Sequence, residues 1–273
     1  MKLYLGLPFS CILAFAAPVQ AKSTWLLIDN FESNALNWTK ADTQNDTKPY
    51  IKNPQITEIR AEKTGHDTNH FLIKKPAEEG VIGNRKALSF YPLPTAVAVG
   101  ETVTFYTRIN VESFPNNHAF GLSNLEPAQI KQHGYDAFEA TLRVTDKAES
   151  NGLKNDGALM VKTDAGYSNI QNYSMAQSAK PLKPGNWYEV WYVVNNATVN
   201  NGGQQYDVYV KGGEFNQQTL VYKSATFRMK REKPLIYFLA NCNTGPKKKP
   251  YGNGGLKYDD LYMRTGKELS RPF

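Results

Sequence analysis

Cysteine, helical periodicity and long apolar runs are all scarce in this chain, and each shortage removes a class of protein. Two cysteines occur among 273 residues, Cys11 and Cys242. Cys11 lies inside the apolar N-terminal stretch, so processing there leaves Cys242 alone. A disulfide scaffold is excluded, and stability has to come from packing or a bound ion. The one long apolar run, Leu3 to Ala17, is interrupted by Pro8 and falls short of the ~20 residues that a spanning helix needs. Lys2, that run and the small-x-small pattern Val19-Gln20-Ala21 together read as a signal peptide over 1–21. Residues 22–273 are then one exported domain, secreted or periplasmic, with no membrane insertion.

Histidine is scarce too, at four residues. His66 and His70, in GHDTNH, have the spacing of a helical zinc pair, but Gly, Asp, Thr and Asn around them specify a loop. No phosphate loop, dinucleotide fingerprint or Ser-His-Asp elbow is present. The formal net charge is +7, which attracts anionic surfaces such as acidic polysaccharide. The densest basic run, Lys247-Lys248-Lys249, sits between two prolines with no nucleic-acid-binding motif around it, so nucleic acid is not the expected partner.

Strand signals are abundant. TVTFYTRINV (102–111), AFEATLRVT (137–145), NWYEVWYVV (186–194), QYDVYVKG (205–212) and LKYDDLYM (256–263) alternate or run apolar with β-branched and aromatic residues. Clusters such as NNATVNNGG and KPYGNGG supply the turns. Only EPAQIKQ suggests a helical turn. The expected fold is all-β, a two-sheet antiparallel β-sandwich or jelly roll, in one monomeric domain.

LKPGNWYEVWYVVNN, the opening TWLLIDNFESNALNW and the closing GGLKYDDLYMRTG resemble the turn-and-strand segments of concanavalin A-like and laminin G-like jelly rolls. That group holds lectins, binding modules, glycosidases and polysaccharide lyases, so the resemblance implies fold and a carbohydrate ligand. The Glu-x-Asp-x-x-Glu strand of its retaining glycosidases is missing, and with it a close carboxylate pair. The Arg-x-Glu-Leu-Arg, Gln-Ile-His and Tyr-Phe-Lys strands of its alginate lyases are missing as well, so no residue role is carried over.

Alternation divides each strand into a core face and a polar face. Phe105, Thr107, Ile109 and Val111 make one face of 102–111. Phe138, Ala140, Leu142 and Val144 do so in 137–145, and Tyr206, Val208 and Val210 in 205–212. The other faces offer Tyr106, Arg108, Arg143, Tyr209 and Lys211. In 186–194 both faces are apolar; Trp187 and Trp191 are assigned to the core and Tyr192 to the polar face. These residue types suit β-elimination beside a uronic acid: a base for the C5 proton, a cation for the carboxylate and an acid for the leaving oxygen. The expected catalytic set is His118, Tyr192, Arg108 and Arg143. Tyr106, Tyr209 and Lys211 are the expected substrate platform. Asp29, Asp259 and Asp260 are candidate ligands of a structural Ca²⁺ at paired termini. The function expected is a lyase acting on an anionic, uronic-acid polysaccharide. Two alternatives stand beside it, a non-catalytic lectin-like module and a structural envelope or adhesion protein.

Overall fold

The computed structural model describes residues 24–33, 36–65, 67–149 and 154–273. The expected signal peptide and His66 lie outside them. In chain order the strands are β1 (Leu26–Asp29), β2 (Thr39–Asn45), β3 (Ile56–Thr64), β4 (Asp67–Lys75), β5 (Asn84–Val97), β6 (Thr102–Val111), β7 (Asn117–Ser123) and β8 (Phe138–Thr145). There follow β9 (Leu159–Thr163), β10 (Gly166–Asn169), β11 (Gln171–Asn172), β12 (Gln177–Ser178), β13 (Trp187–Asn195), β14 (Gln205–Gly212), β15 (Phe215–Thr226), β16 (Leu235–Cys242) and β17 (Leu256–Thr265). Among the described residues one short α-helix, α1 (Pro127–His133), interrupts them.

Two antiparallel sheets pack face to face, as the sequence leads one to expect. The first runs β15-β14-β13-β6-β17-β4-β3, with β1 added on β17; the second runs β10-β9-β8-β7-β16-β5-β2. Among the described residues no helix is long and apolar enough to cross a membrane. The inter-sheet core takes one face of each strand: Phe105, Ile109 and Val111 of β6; Ala140, Leu142 and Val144 of β8; Tyr206, Val208 and Val210 of β14. Alternation in those three strands therefore reads correctly. In β13 the phase is the opposite of the one expected. Tyr188, Val190, Tyr192 and Val194 enter the inter-sheet core, with Tyr192 stacked on Phe105 at 5.3 Å between centroids. Trp191 and Val193 point outward, yet they are buried in a separate cluster with Tyr106 and Tyr209.

The second sheet's outer face is closed unevenly. Part of the second sheet's outer face lies beneath α1, whose Ile130 packs with Leu88, Phe90, Ala119 and Leu239. The helix opens with a Glu126/Gln129 capping box and Pro127 in its first turn, which satisfies its leading amides and fixes where it starts. Beside it the sheet remains open. At Gly121, in the middle of β7, a side chain would stand 2.0 Å from the carbonyl oxygen of Ala140, so only glycine fits that close strand approach.

Candidate functional site

The open part of the second sheet's outer face forms a cleft of about 580 Å³. Its floor is set by strand phase. Asn117 and Ala119 of β7, Arg143 of β8, Met160 of β9 and Asn241 of β16 all project to this side, and Ala119, Arg143, Met160 and Asn241 are neighbours in cross-strand register. Loops supply the walls: Lys147 and Glu149 follow β8, and Tyr251 precedes β17. Four cations line it, Arg85, Lys86, Arg143 and Lys147, against one carboxylate, Glu149. Three tyrosines, Tyr135, Tyr167 and Tyr251, complete an aromatic and cationic surface of the type that stacks on sugar rings and pairs with acid groups.

Arg143 is the best-anchored group in the cleft and is 7% exposed. Its Nη2 and Nε donate to Asn117 Oδ1 at 3.0 and 3.3 Å, and its Nη1 donates to Glu149 Oε1 at 3.0 Å. The guanidinium lies over the Tyr167 ring, 5.0 Å from the centroid. A fork held on three sides is pre-organised, and less entropy is lost when it meets an anion. Tyr167 is fixed in turn by a 2.7 Å hydrogen bond between its hydroxyl and that of Tyr135. Burial, then Tyr135, raises the Tyr167 phenol well above its ordinary value, so it remains protonated.

Lys147 forms an ion pair with Glu149 and lies over the Tyr251 ring at 5.0 Å. Burial holds its ammonium below the ordinary lysine range; Glu149 opposes this and Arg143 adds to it. Burial alone would push Glu149 upward, but Lys147, Arg143 and Asn155 together bring it below its ordinary value. Asn155 donates to Glu149 at 2.8 Å. In the floor Asn241 Oδ1 is buried without a protein partner. An amide in that position costs free energy until something donates to it.

The six residues expected to share one glycan-binding face are divided by the structure between two sheets and the core. Arg143 alone is in the cleft. Tyr192 is in the inter-sheet core, 1% exposed, where burial raises its phenol strongly. Arg108 is on the outer face of the first sheet. It is clamped by Asp259 at 2.5 Å and Asp260 at 2.6 Å, donates to Asn69, and covers the Trp187 ring at 5.2 Å. Tyr106 is 1% exposed beneath the C-terminal residues. Tyr209 accepts a 2.8 Å hydrogen bond from Lys267, and Lys211 faces Glu189 at 3.8 Å.

His118 shares its strand face with Phe120 and Leu122, so its ring enters the core. It is 0% exposed, with Nε2 2.8 Å from the carbonyl oxygen of Gly254. Burial, only partly offset by that carbonyl, pushes its pKa down to about 3, and it is neutral at ordinary pH. His118 thus borders the cleft as a fully buried residue, with no surface exposed to a ligand there.

Each of the three expected calcium donors already has a protein partner. Asp29 accepts from the backbone amide of Phe31 and from Trp38 Nε1 at 2.8 Å, while Asp259 and Asp260 face Arg108. Among the described residues no group of three or more candidate ligands converges.

Asn117, Lys147, Tyr135, Tyr167 and Tyr251 were not singled out from the sequence. For Asn117 a signal existed, since alternation from Phe120 and Leu122 sends it outward with Ala119. Lys147 and Tyr251 come from separate loops about a hundred residues apart, and no local pattern joins them.

No family model and no curated protein matches the chain. Solved structures do resemble it. A marine PL-14 alginate lyase from Aplysia kurodai aligns at TM-score 0.49 and 13% identity, covering 77% of this chain and 87% of that one. Peanut lectin aligns at TM-score 0.45 and 7% identity, covering 85% and 98%. A GH131 β-glucanase catalytic domain from Podospora anserina aligns at TM-score 0.44 and 8% identity, covering 74% and 75%.

Proposed function

We propose that the protein acts outside the cytoplasm on an anionic, uronic-acid polysaccharide, which it binds in the cleft over β7, β8 and β16. The observation that carries this is Arg143, forked on Asn117 and stacked on Tyr167 in a cleft with four cations and one carboxylate. A uronate carboxylate takes the bidentate contact from Arg143, and pyranose faces pack on Tyr167 and Tyr251.

The finer reading is β-elimination. Arg143, oriented by Asn117, neutralises the carboxylate, which acidifies the C5 proton. Lys147, its proton loosened by burial, accepts that proton once its own has left. The C5–H electron pair becomes the C4–C5 double bond, the C4–O bond breaks, and the pair departs on the glycosidic oxygen, which Tyr251 protonates. A specific observation favours the binding-only alternative: Glu149 already occupies both Arg143 and Lys147. In a lectin-like module that carboxylate tunes affinity. In a lyase it has to yield to the substrate.

Incubation with a panel of uronate polysaccharides separates the two. Growth of the ultraviolet absorbance of an unsaturated uronate, lost in Lys147→Ala with binding retained, is the lyase outcome. Calorimetric binding without that absorbance leaves the module. Absence of binding to every acidic polysaccharide removes the proposal.

A further inference from the structure

Beyond Asn155, Met160 and Tyr167 the cleft does not end. These three residues also line a second hollow of about 360 Å³, which continues past the β10 edge. The two hollows adjoin at these shared residues, and the lining changes character from one to the other. At the β5 and β16 end stand Arg85 and Lys86, and the wall leading to Tyr251 begins with the exposed Lys247-Lys248-Lys249 run; Lys249 is close enough to Lys147 to bias its protonation. At the β10 end the polar groups are chiefly amides and hydroxyls, Asn155, Asn169, Gln171, Ser168 and Ser178, with one lysine, Lys154, and one carboxylate, Asp156. Asp156 is occupied internally, accepting from the Ala158 amide at 3.0 Å and from Asn169 Nδ2 at 3.2 Å. The two hollows thus run from a strongly cationic end to an electrically balanced, amide-lined end.

A polymer carrying a carboxylate on every residue would place one charge per sugar along both halves. In the second half that charge would face amides, hydroxyls and the fixed carboxylate of Asp156, with Lys154 the one lining cation, so it would gain little electrostatic complementarity there. Amides and hydroxyls instead match the neutral hydroxyl pattern of an uncharged sugar. We propose that the ligand is a mixed acidic polysaccharide in which uronates neighbour uncharged sugars, the uronate lying at Arg143 and an uncharged residue over Asn169 and Gln171. This rests on the anionic-glycan reading above and narrows it to a substrate class.

The test compares hyaluronan oligosaccharides, in which uronate and neutral sugars alternate, with oligoguluronate, in which every residue is acidic. Binding is measured by calorimetry at one salt concentration for wild type, Asn169→Lys/Gln171→Lys and Arg143→Ala. Wild type is expected to bind the alternating chain at least ten-fold more tightly. The double lysine variant is expected to narrow that gap several-fold by improving oligoguluronate. Equal or tighter binding of oligoguluronate by wild type, or a gap that the lysines do not move, overturns the inference while leaving anionic binding in place, provided that Arg143→Ala weakens both. If neither probe binds, or Arg143→Ala changes nothing, the anionic reading falls and the inference falls with it.

Discussion

The two outer faces of this sandwich carry similar residues and have different fates. On the second sheet Arg143, Lys147 and three tyrosines line an open cleft. On the first, Tyr106, Trp191, Tyr209, Arg108 and Lys211 look equally suited to a sugar, yet they are covered or neutralised. The C-terminal residues cross that face: Leu269 packs on it, Trp191 Nε1 donates to the Ser270 carbonyl, Arg271 binds Glu189 and Phe273 meets Tyr106 edge-on at 6.1 Å. Arg108 is held by two aspartates. An aromatic and cationic face is therefore not a site by composition. It becomes one where nothing in the chain already fills it.

The comparison breaks most visibly at Arg108. Removing it leaves Asp259, 1% exposed, without its counter-charge. Arg108→Ala is expected to cost about 3–5 kcal/mol of stability, the range for stripping one partner from a buried pair. Glycan affinity of the folded fraction should be unchanged. The check is denaturant unfolding alongside calorimetry. A loss of affinity with normal stability would move the site to the first sheet.

Truncation after Gly266 tests the cover itself. It removes Leu269 and Phe273 from the Tyr106–Trp191–Tyr209 cluster, together with the ion pair of Arg271 with Glu189 and the hydrogen bond from Lys267 to Tyr209. Leu269 is half-buried and Phe273 largely exposed, so the apolar loss amounts to at most one buried side chain, about 1.5–3 kcal/mol of destabilisation. The midpoint of thermal unfolding should drop, tryptophan fluorescence should shift red as Trp191 meets water, and binding in the cleft should persist.

The mirror-image experiment is Arg143→Ala. Affinity for an acidic glycan is expected to fall by roughly 1.5–3 kcal/mol, the value of hydrogen bonds to charged groups. Stability should move less than in Arg108→Ala, because Glu149 keeps Lys147 and Asn155 as partners. Binding should also weaken as salt rises, since partly exposed charges are screened over about 10 Å at 0.1 M. Salt-insensitive affinity that survives the substitution would count against an anionic ligand.

What the sequence could say about the two faces follows from the range of its signals. Alternation is local, so β6, β8 and β14 could be divided correctly from a few neighbours each, and the sandwich follows from such strands joined by Gly- and Asn-rich turns. In β13 the local signal is ambiguous, because Trp187, Trp191 and Val193 make the outward face as apolar as the inward one. That face is apolar because the last residues of the chain lie on it, and such contact at long separation has no local signature. His118 illustrates a different limit. Its residue type suggests chemistry, but its strand phase, set by Phe120 and Leu122, sends it into the core. Of the cleft, Arg143 was legible from phase alone. Its partners Asn117, Glu149 and Tyr167 gain meaning only once β7, β8 and β10 are side by side.

Taken per pH unit, the smallest expected effect sharpens the contrast through pH. Asp259 is pushed up to about 7, first by burial and then by Asp260, with Arg108 opposing both. Between its ordinary value of 3.8 and about 7 the folded state holds this proton more tightly than the unfolded chain. Its contribution is therefore complete below 3.8 and is lost as pH rises through 7, with a slope of at most about 1.4 kcal/mol per pH unit for one proton. His118 runs the other way. Its pKa lies near 3, so the unfolded chain takes up the proton first and its contribution is lost as pH falls from its ordinary 6.5 toward 3. The two slopes overlap between about 4 and 6.5, so wild type alone does not resolve either. The difference between wild type and Asp259→Asn does, because His118 is common to both. Stability curves measured from pH 4 to pH 8 should show the wild-type advantage over the variant shrinking as pH rises. In Arg108→Ala the penalty should be smaller at pH 5 than at pH 8, where Asp259 is ionised without its partner. Parallel curves across that range would mean that Asp259 is ionised throughout. The first sheet's outer face would then be held by a standing ion pair at every pH tested.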